Sequence, residues 1–294
     1  MPVLNFGSCC IDHVYRVPHF AAAGETLPCN SYQIHPGGKG LNQSIAMAAA
    51  GAKVRHAGKV GKDGRWLLDL MTIKNIDVGM MKIDLGPTGH ANIQVTPEGE
   101  NSTILFGGAN LTITKSYIDE VLEDAQPGEF LLLQNEISAL AYLIDQACEK
   151  EMRVVFNAAP MSADVNALPL EAIELLVINE IEGFELTTET ASEDIIEILS
   201  SRFPSTNILL TLGANGSIYA SKGNSIFQPA IKVDAIDTTA AGDTYAGFFL
   251  AGFFLAGYSA GKSVAECLAM ATSAAALCVT RAGAATSIPR LGEL

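Results

Sequence analysis

Residues 237–247 read "DTTAAGDTYAG" and run straight into the apolar pattern "YAGFFLAGFF". Two small alanines and a glycine between two aspartates form a sharp turn that opens a helix. A helix start gathers backbone N–H groups carrying about half a positive charge, so it attracts anions, and small residues let a phosphate approach that backbone. Asp243 stands in the same place with a charge of the wrong sign. Two readings are open. It is a helix cap, for which aspartate is favoured, or it is a base that takes a proton from a hydroxyl attacking a phosphoryl group. In the second case the N–H groups of Ala241, Gly242 and Asp243 stabilise the charge that develops on the transferred phosphate.

A second stretch, "GGKGLNQS" at 37–44, puts two glycines before Lys39 and opens a helix at Gly40. It reads either as a Gly-rich turn with a solvated lysine or as backbone lying close to a ligand, with Lys39 and Asn42 bonding hydroxyls. "GYSAGKS" at 257–263 has one residue too few for a phosphate-binding P-loop and follows a helix, which makes it a helix–helix turn. "GSCCID" after the first strand lacks the glycine fingerprint of a dinucleotide fold.

The elements that must position these residues are legible as alternation. The apolar runs "VLNFG", "VRHAGKVG", "EFLLLQ", "RVVFN", "LLVIN" and "NILLTL" are separated by helical patterns such as "GLNQSIAMAAAGA", "ALAYLIDQACEKE" and "SEDIIEILSSRF". Strands apolar on both faces and separated by helices indicate an α/β fold: a mostly parallel central sheet flanked by helices on both faces. Ligands of such sheets sit beyond the carboxyl ends of the strands. Asp12, Glu136, Asn157, Asn179 and Thr211 follow strands and should line that edge, Asn157 as a cap or turn residue. Residues 88–106 read as two strands joined by a polar turn, and 12–17 and 30–36 as extended. These pieces form a small accessory sheet, a lid within segments 12–36 and 88–106 of a single domain spanning 1–294.

Of the 294 residues, 49% are hydrophobic, 17% are charged, and the net charge is −14. No basic block is present, which argues against nucleic acid as a partner. The apolar run at 245–258 falls short of the roughly 20 residues needed to span a bilayer. The N-terminus lacks signal-peptide character. The six cysteines show no C-x-x-C spacing, no zinc site is legible, and a reducing cytoplasm is the expected location.

Together the motifs resemble the ribokinase (PfkB) family of sugar kinases. "DTTAAGDTYAG" is similar to its carboxyl-side signature and "GGKGLNQS" to its amino-side signature. "GSCCID", "LLQNE", "NEIE", "TLGANG" and "VTRAGAATSIP" fall in the family's order. The resemblance implies an ATP-dependent kinase acting on the primary hydroxyl of a small sugar, ribose at O5, with another pentose, a deoxy sugar or a nucleoside as alternatives. A sugar-binding protein on an inactive kinase scaffold is the alternative of another class. By position, Asp243 is the base and Ala240, Ala241, Gly242 and Asp243 form the anion hole. Asp12, Gly38, Lys39, Asn42 and Glu136 hold the sugar. Asn179, Thr211, Gly213 and Gly216 contact ATP, as Gly242 does in the anion hole, with Thr272 near the adenine. Magnesium accompanies the nucleotide, and Asp237, Thr239, Cys278, Arg281, Gly283 and Ser287 match positions that bind potassium. Lid-to-lid pairing implies a homodimer. One position departs: the family's ribose kinases carry asparagine where this chain has Cys10, which puts the sugar's identity on that residue.

Overall fold

A computed structural model describes residues 2–258 and 262–294, so the centre of the turn expected at 257–263 lies outside the described residues. The strands in chain order are β1 (Val3–Phe6), β2 (Cys10–Arg16), β3 (Ser31–Gly37), β4 (Val54–Val60), β5 (Asp77–Ile83), β6 (Gly89–Val95), β7 (Asn101–Phe106), β8 (Phe130–Gln134), β9 (Arg153–Asn157), β10 (Leu175–Asn179), β11 (Asn207–Thr211), β12 (Gly216–Ser221) and β13 (Asn224–Pro229). The α-helices are α1 (Lys39–Ala49), α2 (Arg65–Ile73), α3 (Lys115–Leu122), α4 (Leu140–Glu149), α5 (Glu180–Thr187), α6 (Ser192–Arg202), α7 (Ala241–Tyr258) and α8 (Val264–Val279).

Nine strands form the main sheet in the order β13-β12-β11-β10-β9-β8-β1-β4-β5. The strands from β11 to β5 are parallel, and β12 and β13 close one edge antiparallel. Side chains of a strand alternate between faces, and here both faces are buried. Val3, Phe130, Leu132, Val155 and Leu209 point into one core with Leu41, Ile45, Phe248 and Leu268 of α1, α7 and α8. Leu4, Leu131, Leu133, Phe156 and Leu210 point into the other with Ile118, Ile144, Leu186 and Ile195 of α3 to α6. Fully burying each such side chain contributes about 1.5–3 kcal/mol, and this explains why "FLLLQ" reads as an unbroken apolar run. Among the described residues, no helix is long and apolar enough to cross a membrane.

The six apolar runs became β1, β4 and β8 to β11. Two parts of the sheet were not foreseen. β5 is an edge strand with an interior glycine and mixed burial, so it lacks the signature of a buried parallel strand. β12 and β13 are joined at Lys222 and Gly223, both with positive φ (48° and 77°), a combination that suits a tight antiparallel hairpin.

The accessory sheet has four strands in the order β3-β2-β6-β7. It is built from the extended segments expected for the lid, and β2 joins it directly to the end of β1. The register sets Cys10 opposite Gly37 on one side and Gly89 on the other.

Two close approaches place the remaining elements. A Cβ on Gly40 would lie 2.4 Å from the Ser8 backbone nitrogen and 2.6 Å from the Gly7 carbonyl carbon, so α1 begins in direct contact with the chain leaving β1. A Cβ on Gly247 would lie 2.4 Å from that of Ala46, which lets α7 pack tightly on α1. These contacts bring the first turns of α1 and α7 together at the carboxyl edge of the sheet.

Candidate functional site

The start of α1 has no side-chain cap of its own. Ser8 serves instead: its carbonyl accepts from Leu41 N–H at 2.9 Å and its hydroxyl oxygen from Gly40 N–H at 3.2 Å. The same hydroxyl donates to Glu136, whose Oε2 also accepts the Lys39 N–H at 2.9 Å. One serine therefore ties the end of β1, the mouth of α1 and the loop after β8 into a single corner.

Asp243 sits buried in the first turn of α7. Its Oδ2 accepts from Asn42 Nδ2 at 3.0 Å and its Oδ1 from Gln43 Nε2 at 2.9 Å. The carboxylate is thus held by side chains of α1. In the turn before it, Ala240 adopts φ 58°, and the Ala241 N–H donates to the Thr238 carbonyl at 3.2 Å. Of the three N–H groups expected to form an anion hole, that of Ala241 is engaged in this turn. Space beyond Gly242 is open: a Cβ there would meet no atom within 4 Å.

Charge is concentrated at this corner. Burial, reinforced by Glu136 and Asp243, pushes the Asp12 carboxyl up to about 6. Burial raises Glu136, against the opposing pull of Lys39 and its hydrogen bonds. The Lys39 ammonium is held above its usual range by Asp243 first, with Glu136 and Glu182 adding to it against burial. A cation facing three carboxylates stays charged. Asn42 Oδ1 is buried with no partner among the described residues, an acceptor that fits a donor brought by a ligand. Gly38, at the mouth of α1, completes the group predicted to hold the sugar, and the sequence-predicted residues Asp12, Lys39, Asn42, Glu136 and Asp243 are brought together.

Cys10 lies at the start of β2, 4% exposed. Burial, with Glu136 and Asp12, drives its thiol well above the ordinary value, so it stays protonated. Asn110 Nδ2 donates to its Sγ at 3.4 Å and to the Cys9 carbonyl at 3.0 Å, while Asn110 Oδ1 accepts from Cys9 N–H at 3.1 Å.

The residues expected to contact a nucleotide are spread along the same edge. Asn179 ends β10 and caps α5 through a reciprocal pair of bonds with Glu182. Thr211 ends β11, and Gly213 and Gly216 (φ 52° and 119°) form the turn into β12. Thr272 is buried, with its hydroxyl donating to the Leu268 carbonyl at 2.9 Å. Asn157 accepts from Ala159 N–H at 3.1 Å, the turn role expected of it.

The residues matched to a potassium site converge on Asp237. Its Oδ1 accepts from Thr239 N–H and its Oδ2 from Gly283 N–H, both at 2.9 Å. Cys278 Sγ lies 3.0 Å from Ser287 Oγ and accepts from Thr244 Oγ1 at 3.2 Å, linking this group to the first turns of α7. The Arg281 guanidinium turns away to Glu293 at 2.7 Å, leaving only its backbone for such a role.

Sequence reasoning missed Ser8, Gln43, Asn110, Gln134 and Glu182. Gln43 and Gln134 stood inside the quoted motifs beside the residues chosen, and the spacing of Asn179 and Glu182 is a capping-box signal. Ser8 also stood inside a quoted motif, "GSCCID", but its partners Gly40 and Glu136 are far away in sequence, and Asn110 carries no local signal.

A family model described as pfkB family carbohydrate kinase matches residues 3–291. A ribokinase of Haemophilus influenzae is 36% identical over 98% of this chain and 95% of that protein. A ribokinase of Staphylococcus aureus is 34% identical over 99% and 98%. The structure of Arabidopsis thaliana ribokinase complexed with ribose and ATP superposes with a TM-score of 0.86 at 28% identity, covering 99% of this chain and 96% of that one.

Proposed function

Because the chain belongs to the pfkB family of carbohydrate kinases, we propose that it transfers the γ-phosphoryl group of ATP to the primary hydroxyl of a small sugar, D-ribose at O5. The observation that carries this reading is the buried Asp243 carboxylate, fixed by two amides at the open mouth of α7 and electrostatically coupled to Lys39, Glu136 and Asp12. A protein that only bound sugar would have no use for a base placed against an anion-binding helix start.

In this account Asp12, Lys39, Glu136 and the unpartnered Asn42 Oδ1 bind the sugar hydroxyls, with Gly38 giving close backbone approach. Asp243 takes the proton of the attacking hydroxyl as the new O–P bond forms and the bond from the γ-phosphorus to the bridging oxygen breaks. The N–H groups of Gly242 and Asp243 hold the phosphoryl oxygens. Asn179, Thr211, Gly213, Gly216 and Thr272 are assigned to the nucleotide by family position, and magnesium enters on its phosphates.

The oxygen donors Asp237, Ser287 and the carbonyls of Thr239, Arg281 and Gly283 fit a hard monovalent cation, and one carboxylate already joins the two segments they come from. A potassium ion there supplies positive charge that orders the turn before α7. The exposed apolar lid side chains Tyr32, Ile34, Ile104 and Phe106 support pairing of two copies through the lid. A cytoplasmic location fits an ATP-consuming enzyme with six free cysteines.

ATP consumption measured against a panel of pentoses, deoxypentoses, hexoses and nucleosides tests the reading. Ribose should give the highest kcat/KM, and potassium should raise the rate over sodium at matched ionic strength. Calorimetric sugar binding with no ATP turnover would overturn the kinase reading. Equal rates in the two salts would remove the monovalent site.

A specific observation keeps a second sugar in view. Cys10 offers a thiol, a poor donor and a poor acceptor, where the family's ribose kinases have asparagine. A neutral hydrogen bond contributes about 0.5–1.5 kcal/mol, so its loss lowers kcat/KM by about 2- to 12-fold. Cys10→Asn should improve ribose by that order and a deoxy analogue lacking the hydroxyl by less. If both substrates change in parallel, Asn110, whose amide already reaches Cys10, supplies the bond and Cys10 is no specificity determinant.

A further inference from the structure

Behind Asp243 runs a chain of side-chain amides sealed from solvent. Gln43 Nε2 donates to Asp243 Oδ1 at 2.9 Å, and Gln43 Oε1 accepts from Gln134 Nε2 at 2.9 Å. Gln134 Nε2 also donates to Asn5 Oδ1 at 3.1 Å. Asn5 Nδ2 donates to the Gly40 carbonyl at 2.8 Å and to Ser44 Oγ at 2.7 Å. Asn5, Gln43, Ser44 and Gln134 are fully buried, on three different elements, and Ser44 goes on to His56 at 2.8 Å. Burial lowers His56 to about 4, so the far end of the chain is neutral.

The two ends of an amide are told apart by their partners. The Gly40 carbonyl can only accept, so the Asn5 nitrogen must face it and the Asn5 oxygen must face Gln134. The Gln134 nitrogen then faces Gln43, whose oxygen is used up, so its nitrogen faces Asp243. A backbone carbonyl thereby dictates, three side chains away, that a donor and never an acceptor meets the carboxylate.

From this geometry we propose that Gln43, locked by Gln134 and Asn5, is a positioning residue that aims the Asp243 carboxylate so that its free lone pairs face the substrate's hydroxyl. The inference rests on Asp243 being the base. An N–H held against Oδ1 occupies that lone pair and leaves the remaining ones for the substrate. The other ionisable groups around Asp243 are Lys39 on α1, Glu136 after β8, Asp12 on β2 and Glu182 on α5. None of them bonds to Oδ1, so the amide chain acts on that atom independently.

The test is Gln43→Met and Gln134→Met in the full chain, with kcat and KM for ribose measured from about pH 5 to 9. A hydrogen bond to a charged group is strong enough that losing it should lower kcat about tenfold, with KM for the sugar nearly unchanged. Gln134→Met should show the same fall at smaller amplitude, since it frees the Gln43 amide without deleting it. That variant carries the test if Gln43→Met melts. In an Asp243→Asn background, Gln43→Met should lower the residual rate no further. Unchanged kcat, or a loss that falls on KM and not on kcat, overturns the positioning role alone. Full activity of Asp243→Asn would overturn the base assignment and the positioning role with it.

Discussion

Asp243→Asn should lower kcat by about 10²- to 10⁴-fold, the usual cost of removing a general base, while sugar and ATP still bind. The fold should survive. Asparagine keeps the shape of the side chain, but one of its two ends is now an NH2 group, while both positions face donors, Asn42 Nδ2 and Gln43 Nε2. One buried hydrogen bond is lost and two donors oppose each other, which costs about 1–3 kcal/mol against a total stability of about 5–15 kcal/mol for a typical protein. A melt lowered by a few degrees with a cooperative transition is therefore expected beside the kinetic loss. Steady-state kinetics with ribose and ATP, together with calorimetry of sugar binding, separates the two effects. A folded variant with near wild-type kcat would show that the carboxylate only stabilises the junction of α1 and α7.

What the sequence made legible follows from how local each signal was. β1, β4 and β8 to β11 were readable because burial on both faces makes a strand apolar at every position. β5 was not, because an edge strand is buried on one side only and its interior Gly79 breaks the pattern. Asp12, Lys39, Asn42, Glu136 and Asp243 were readable because each lies in a short motif at the end of a strand or the start of a helix. The amides supporting them were not. Asn5 and Gln134 are 129 residues apart, and Gln43 and Gln134 are 91 apart, so no window of sequence contains the bond. A glutamine ending an apolar strand looks like a turn residue until the register places it opposite another amide. A different limit hid the engagement of the Ala241 N–H by Thr238, which lies in the same motif: a composition of small residues says that a backbone can be approached but not which of its donors are free.

Gly242→Val should leave the protein as stable as the parent and lower kcat/KM by at least about 10²-fold. At most close-packed glycines in this structure a side chain would strike backbone, as at Gly40; at Gly242 an added Cβ would meet nothing within 4 Å. The residue is exposed in the first turn of α7, its φ is not positive, and valine is the better helix former there. Folding therefore gives no reason for a glycine. The proposed reaction does: in it a phosphoryl group must come within about 3 Å of the Gly242 and Asp243 nitrogens to be held by them, and two methyl groups on a Cβ would occupy that approach. Losing one donor of such a hole typically costs about 10²- to 10³-fold in rate, and blocking the approach removes the use of both. Gly242→Ala, with a single methyl, should fall between the parent and the valine variant. Sugar binding measured by calorimetry without nucleotide should be unchanged in both, since the residues proposed to hold the sugar lie on α1, β2 and the loop after β8. Normal kcat/KM in a folded Gly242→Val protein would mean that the phosphoryl group does not pass over this face of the helix, and the assignment of its N–H groups as the anion hole would have to be abandoned.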